Sequence, residues 1–253
     1  MLTALVPSSV FRNEILSRMP AEEMELLAPH MTLMPFGLGA VLITPETDVG
    51  FIYFPETLIA SVVAMPNGER IEAVSVGREG FVGIPAILGG QTLSQTIVQI
   101  TGDAQCVSAK SFVSLLSSMP KLKELLDRYI LTTIDEISLT AACNRAHPLM
   151  ERCAKWLLLV RDRQDEDMFL LTHKFLATML GVRRAGVTVA AGILQKAGII
   201  RYSRGRVNIL NHTALEETAC ECYAMIRKLS IATQPVLQKR NSALSTPRLL
   251  KAL

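Results

Sequence analysis

Between Leu170 and Leu215 the chain carries seven Lys or Arg and no Asp or Glu, on a stretch whose punctuation admits few folds. Thr172 is placed to N-cap a helix whose inward positions are Phe175, Leu176, Met179 and Leu180. Gly181 stops that helix, and Val182 plugs the angle before the next one. A second helix over 184–197 has Val187, Ala190, Ala191 and Leu194 as its packing face, and Gly198 closes it. Residues 199–202 then read as a strand, Ser203-Arg204-Gly205-Arg206 as a turn, and 207–210 as the returning strand. Helix, turn, helix and hairpin in that order outline a winged helix-turn-helix.

A helix that opens on Arg183 and Arg184 suits the major groove, where arginine bonds guanine bidentately or clamps phosphate. Thr188 is available to touch bases, and Ala185 or Val189 can meet a thymine methyl. Arg204 and Arg206 at the hairpin tip suit the flanking backbone. The candidate DNA-contacting set is therefore Thr172, His173, Arg183, Arg184, Ala185, Thr188, Val189, Arg204 and Arg206. The competing reading, ordinary solvated charge, fits poorly because ordinary surfaces mix signs.

The rest of the chain has the opposite balance. Residues 1–169 hold 13 basic and 20 acidic side chains, and residues 230–253 hold four basic and none acidic, so a net charge of +3 conceals two regions. Length suffices for two ordinary domains. No apolar run approaches the roughly 20 residues of a membrane span, and the N-terminus lacks the pattern of a secretory signal, so a cytoplasmic protein without a membrane partner is expected. The five cysteines, Cys106, Cys143, Cys153, Cys220 and Cys222, follow no zinc-finger or disulfide spacing. Residues two apart on a helix do not share a face, which makes Cys220 and Cys222 a poor metal pair, and no metal or cofactor is expected.

Pro20-Ala21-Glu22-Glu23 with Met24, Leu26, Leu27 and Met31 reads as a short amphipathic helix. Residues 31–109 break into short β-branched and aromatic runs at roughly ten-residue intervals, with Pro66-Asn67-Gly68-Glu69 as a hairpin turn, which predicts a β-sandwich or jelly roll. Phe112, Leu115 and Leu116 mark a short helix, and Pro120 opens a long one. Its apolar positions include Leu122, Leu126, Tyr129, Ile130, Ile134 and Ile137, a stripe long enough to pack against a second copy of itself; an intramolecular core helix is the alternative. Pro148 ends it at a hinge, a further helix over 149–161 faces Met150, Ala154, Leu157 and Leu158 inward, and 162–167 reads as a solvated loop. The fold class is α+β, with a β-roll domain over 1–119, a dimerisation helix and hinge over 120–147, a winged helix-turn-helix over 148–229, and a flexible basic tail over 230–253.

With these parts in this order, and with LATMLGVRRAGVTVAAGILQKAGIIRYSRGRVNILN as its most specific segment, the chain resembles bacterial transcription regulators of the Crp/Fnr family. The resemblance implies a cyclic-nucleotide-binding-like β-roll, and as partners double-stranded DNA, a second copy of the chain and RNA polymerase. It also shows departures. Where cyclic-AMP-binding members carry a glutamate after a Phe-x-Gly segment, this chain has Ile84, and no arginine appears near Ser94, Gln95 and Thr96 to meet a cyclic phosphate, which would then be a buried uncompensated charge. Iron-sulfur members use cysteines near the N-terminus, and none precedes Cys106 here; His30 is the only histidine in the β-roll region, which also sets haem aside. A small apolar effector of unknown identity, in a pocket of Gly83, Ile84, Pro85, Ile87, Leu88, Gln95 and Thr96, stands beside a filled pocket in a constitutive regulator, with a cyclic-nucleotide sensor of atypical pocket as the further alternative.

Two rival functions remain to be weighed. A jelly-roll metal oxygenase needs two or three histidines and a carboxylate, which one histidine before residue 147 cannot supply. A thiol-based redox sensor would use Cys143 and His147, one helical turn apart, against the plainer reading of a small buried residue beside a polar cap.

Overall fold

A computed structural model describes residues 10–164 and 166–229. The expected basic tail, 230–253, lies outside the described residues. The amphipathic segment near the start forms α1 (Ala21–Leu27), and its buried Glu23 reaches the start of α4 (Pro120–Ala146), accepting from the Lys121 and Leu122 backbone N–H groups at 2.8 Å each. That distant carboxylate supplies the cap which Met119, at the N-cap position, does not.

The short β-branched runs become seven strands in two antiparallel sheets. One has the order β2 (Val41–Ile43), β6 (Gln95–Ile100), β4 (Ile59–Ala64), β5 (Ile71–Val76); the other has β1 (Thr32–Phe36), β7 (Gly102–Ser108), β3 (Phe51–Pro55). The turn between β4 and β5 is where the Asn-Gly pair was expected to make one, with positive φ at Asn67 and Gly68. Between the sheets, Phe54, Phe81 and Phe112 are fully buried and Phe81 packs on the Tyr129 ring at 5.3 Å between centroids. Two short helices, α2 (Ile84–Leu88) and α3 (Ala109–Leu116), complete the roll.

The N-terminal half of α4 closes this core from outside the sheets. Leu122, Leu126 and Tyr129, read from the sequence as dimer contacts, are buried against their own chain, and Ile130 is partly so. An apolar stripe does not reveal which surface covers it, and here one chain's β-roll claims the first half. Farther along, Leu131, Ile134 and Ile137 are 59%, 55% and 38% exposed.

Past the break at Pro148, α5 (Leu149–Gln164) runs longer than expected, and residues 162–164 are its last turn rather than solvated loop. The reason is Arg163, which is buried between Glu79 at 2.7 Å and Glu136 at 3.0 Å. Burial of every residue from Arg152 to Val160 makes α5 the central element of the second core. Around it lie β8 (Met168–Leu170), α6 (His173–Leu180), α7 (Arg184–Lys196), β9 (Ile200–Ser203), β10 (Arg206–Ile209), α8 (His212–Thr218) and α9 (Cys222–Leu229). Trp156 on α5 donates to Glu72 on β5 at 2.8 Å, and Glu72 also accepts from Ser61 on β4, so the roll and the C-terminal unit share a buried polar junction. Among the described residues no single helix is long and apolar enough to cross a membrane.

Candidate nucleic-acid interface

The helix-turn-helix forms because each punctuating residue does its local work. Thr172 accepts the Phe175 N–H at 3.1 Å as N-cap of α6, and Gly181 takes the left-handed conformation, φ 63°, that ends it. The chain then turns by 110° into α7, within the range of such motifs. Leu176, Met179 and Leu180 of α6 and Val187, Ala190, Ala191 and Leu194 of α7 are all buried together, with Phe175 and Val182 partly buried against them. The opposite face of α7 is thereby fixed outward: Arg183, Arg184, Ala185, Thr188 and Val189 are exposed. Ile193, one turn beyond Val189, is also exposed; the i, i+4 spacing carried that signal.

The wing has three strands in the order β8-β10-β9, the first of them unforeseen because it is only three residues long. Arg204 and Gly205 both have positive φ, which closes β9 onto β10 with a two-residue turn and leaves the Arg204 and Arg206 side chains exposed at its tip. His173 ties α6 to α7 and the wing: its Nδ1 lies 3.1 Å from Thr188 Oγ1 and its ring 4.3 Å from that of Tyr202. Thr188 donates to the Arg184 carbonyl, so it can accept from His173 only if Nδ1 carries the proton. Burial, and then the charge of Arg184, hold this imidazole below its ordinary pKa. His173 therefore stands as a neutral brace behind the exposed face, and the Thr188 hydroxyl is engaged while its methyl stays free.

A groove of about 490 Å³ opens beside α7, lined by Arg183, Arg184 and Lys174 but also by Glu69, Arg70 and Ile71 from the β4–β5 hairpin. The acid-free stretch is thus not acid-free in space. Sequence reading missed Arg70 as a neighbour of the interface because the contact spans more than 100 positions.

A second cavity, about 210 Å³, lies between the roll and α4. It takes in Gly83, Ile84, Pro85 and Thr96 of the expected pocket, and adds Phe81, Val74, Thr133 and Ile137. Ile87, Leu88 and Gln95 do not line it: Ile87 packs partly buried against the core of the roll, Leu88 is 66% exposed, and Gln95 stands at the start of β6. None of its lining residues is charged.

At the hinge, Cys143 and His147 are joined by two further residues. The Sγ atoms of Cys143, Cys220 and Cys222 and a His147 ring nitrogen all lie within 4.8 Å of one another. The expectation that Cys220 and Cys222 could not act together is corrected, because only Cys222 belongs to α9 and helical phase does not govern the residue two before it. A hydrogen bond from Cys220 pulls the Cys143 thiol well below its ordinary pKa, with Lys155's charge adding to the effect.

Residues 151–218 match the family model of the Crp-like helix-turn-helix domain. In fold, the chain is similar to FixK2 from Bradyrhizobium japonicum, with a TM-score of 0.65 at 15% identity over 75% of this chain and 98% of that one. A transcriptional regulator of the CRP/FNR family from Thermus thermophilus gives 0.62 at 20% identity, over 74% and 98%. The c-di-GMP-responsive global regulator CLP of Xanthomonas campestris gives 0.61 at 14%, over 75% and 99%. No curated protein sequence matches the chain.

Proposed function

We propose that this chain, a transcription regulator of Crp/Fnr type by its fold and its Crp-like DNA-binding helix-turn-helix, acts as a homodimer on a palindromic operator. The observation that carries the reading is the exposed face of α7, where Arg183, Arg184, Ala185, Thr188 and Val189 stand clear of the domain core while the α7 packing face is buried. Phosphate neutralisation by Arg183, Arg184, Arg204 and Arg206 supplies affinity, and Ala185, Val189 and the Thr188 methyl meet base edges. Thr172 and His173 act behind them, as cap and brace.

The second copy docks on the exposed half of α4, through Leu131, Ile134 and Ile137. The division of labour follows 1–119 as effector-type roll, 120–147 as dimer helix and hinge, and 148–229 as DNA-binding unit. The uncharged cavity touches α4 at Thr133 and Ile137, beside that stripe. A neutral, apolar effector fits such a lining, whereas a cyclic phosphate would find no cation there. RNA polymerase is the further partner that activation would require.

Selection of bound sequences from random duplex DNA gives the operator, and the quadruple replacement of Arg183, Arg184, Arg204 and Arg206 by Ala tests the site. Each arginine is worth about 1–3 kcal/mol where it reads a base or clamps phosphate, so binding at roughly 100–200 mM salt should be lost. Intact operator binding by the quadruple variant would refute the assignment.

A further inference from the structure

We propose that Cys143, His147, Cys220 and Cys222 form a closed site for one thiophilic divalent cation, zinc by its ligand chemistry, that fastens the hinge of α4 to the C-terminal end of the DNA-binding unit. Cys143 and His147 occupy the last turn and the C-cap of α4, Cys220 lies between α8 and α9, and Cys222 opens α9. Cys143 Sγ is 3.6 Å from Cys220 Sγ, and Cys222 Sγ is 3.6 Å from His147 Nδ1. A tetrahedral zinc with ligand bonds of about 2.3 Å to sulfur and 2.0–2.1 Å to nitrogen has ligand-to-ligand edges of about 3.6–3.8 Å. The two distances are therefore those of opposite edges of such a site. Donor atoms that all converge within 4.8 Å surround one ion; an iron-sulfur cluster would need them spread about its corners.

Three features of the surroundings are those of a metal site rather than of thiols packed together. First, His147 presents Nδ1 to the sulfurs and Nε2 to Glu221 Oε1 at 3.2 Å, the carboxylate-histidine arrangement that orients a ligating imidazole. Second, all three cysteines are buried and His147 fills the fourth position, so the site is closed to substrate and structural in kind. Third, the buried cations Lys155 and Arg152 act on Cys143, and Arg152 Nε is buried with no hydrogen-bond partner. Three thiolates around a divalent cation leave one net negative charge, which either of these two cations is enough to offset.

Loading is an exchange without redox change. Any thiol still protonated releases its proton to solvent as its sulfur bonds the ion, and His147 gives the Nδ1 lone pair while its Nε2–H donates to Glu221. Sulfur and imidazole without oxygen ligands select zinc over magnesium, calcium or manganese. Arg152 also donates to the Leu180 carbonyl at 2.6 Å, at the C-terminus of α6, so the site touches the helix-turn-helix through one side chain.

The test is elemental analysis of the full-length chain purified under reducing conditions, followed by cobalt(II) titration of the chelator-stripped protein. One zinc per chain is expected, with a tetrahedral thiolate-cobalt spectrum that saturates at one equivalent and is displaced by zinc. Cys143→Ser with Cys222→Ser should abolish it. Glu221→Gln, a change at the surface that leaves all four ligands, should weaken cobalt affinity about 10–100-fold. The proposal is overturned if the native-sequence chain gives no such spectrum, if the double variant keeps it, or if peptide mapping of the reduced-purified protein recovers a Cys143–Cys220 disulfide in place of metal.

Discussion

At Gly80 a single added methyl would strike the Tyr129 ring, which is itself buried and packed on Phe81. The Gly80 carbonyl accepts from Asn13 Nδ2 at 2.8 Å, so the backbone is held and Tyr129 would have to move. Gly80→Ala should therefore destabilise the protein by about 1–3 kcal/mol, the usual penalty for overpacking a core. A urea denaturation midpoint equal to that of the unchanged chain would show that Tyr129 has room to yield. Residues differ in how openly the sequence displays such roles. The exposure of Arg183 and Arg204 was legible because a cation in a run without acids has no neighbouring carboxylate to be buried with. Arg163 was not, since Asp162 and Asp167 beside it in sequence suggested a solvated loop while its partners, Glu79 and Glu136, lie on other elements. The cysteine cluster was hidden for the same reason: 77 positions separate Cys143 from Cys220.

Under the proposed function helix α4 has two jobs along one stripe, and substitutions can separate them. Leu126 is fully buried in its own chain, so Leu126→Ala should cost the fold about 2–5 kcal/mol through lost burial and a cavity. Ile134 is more than half exposed, so Ile134→Glu should alter the fold by no more than about 0.5 kcal/mol yet place like charges across the proposed two-fold seam. Sedimentation should show a folded monomer for Ile134→Glu and a weakened but associating chain for Leu126→Ala. A dimer that survives Ile134→Glu would remove this face from the interface. Periodicity identified α4 and its apolar side, but period alone does not say whether a sheet or a second helix covers a given turn. The α6–α7 pair was more legible because its boundaries are written in single residues, Thr172 and Gly181, whose geometry is local. Strand β8 has no such marker, and its partner β10 lies on the far side of the helix pair in sequence.

The roll and the DNA-binding unit meet at a buried carboxylate, which makes their junction sensitive to pH. Glu72 is enclosed between β4, β5 and α5, where burial raises its pKa although the bonds from Ser61 and Trp156 pull the other way. Glu136 in the neighbouring Arg163 network is raised too, again by burial, with Arg163 opposing. An acid whose folded pKa lies above its unfolded value binds its proton more tightly when folded, so its contribution is complete below the ordinary carboxylate range and is lost as pH rises through the folded pKa. The junction should thus tighten under mild acid and loosen toward neutrality. Glu72→Gln keeps the side-chain size and an oxygen for the Trp156 N–H but cannot ionise, which isolates this one group from every other titration. Trp156 is the only tryptophan in the chain, so its fluorescence during unfolding reports from the junction itself. The stability of the unchanged protein relative to Glu72→Gln should fall as pH rises above the carboxylate range. Parallel pH profiles for the two proteins would mean that Glu72 ionises in the folded state as easily as in the unfolded one, and that the contact between the roll and the helix-turn-helix unit is set by packing alone.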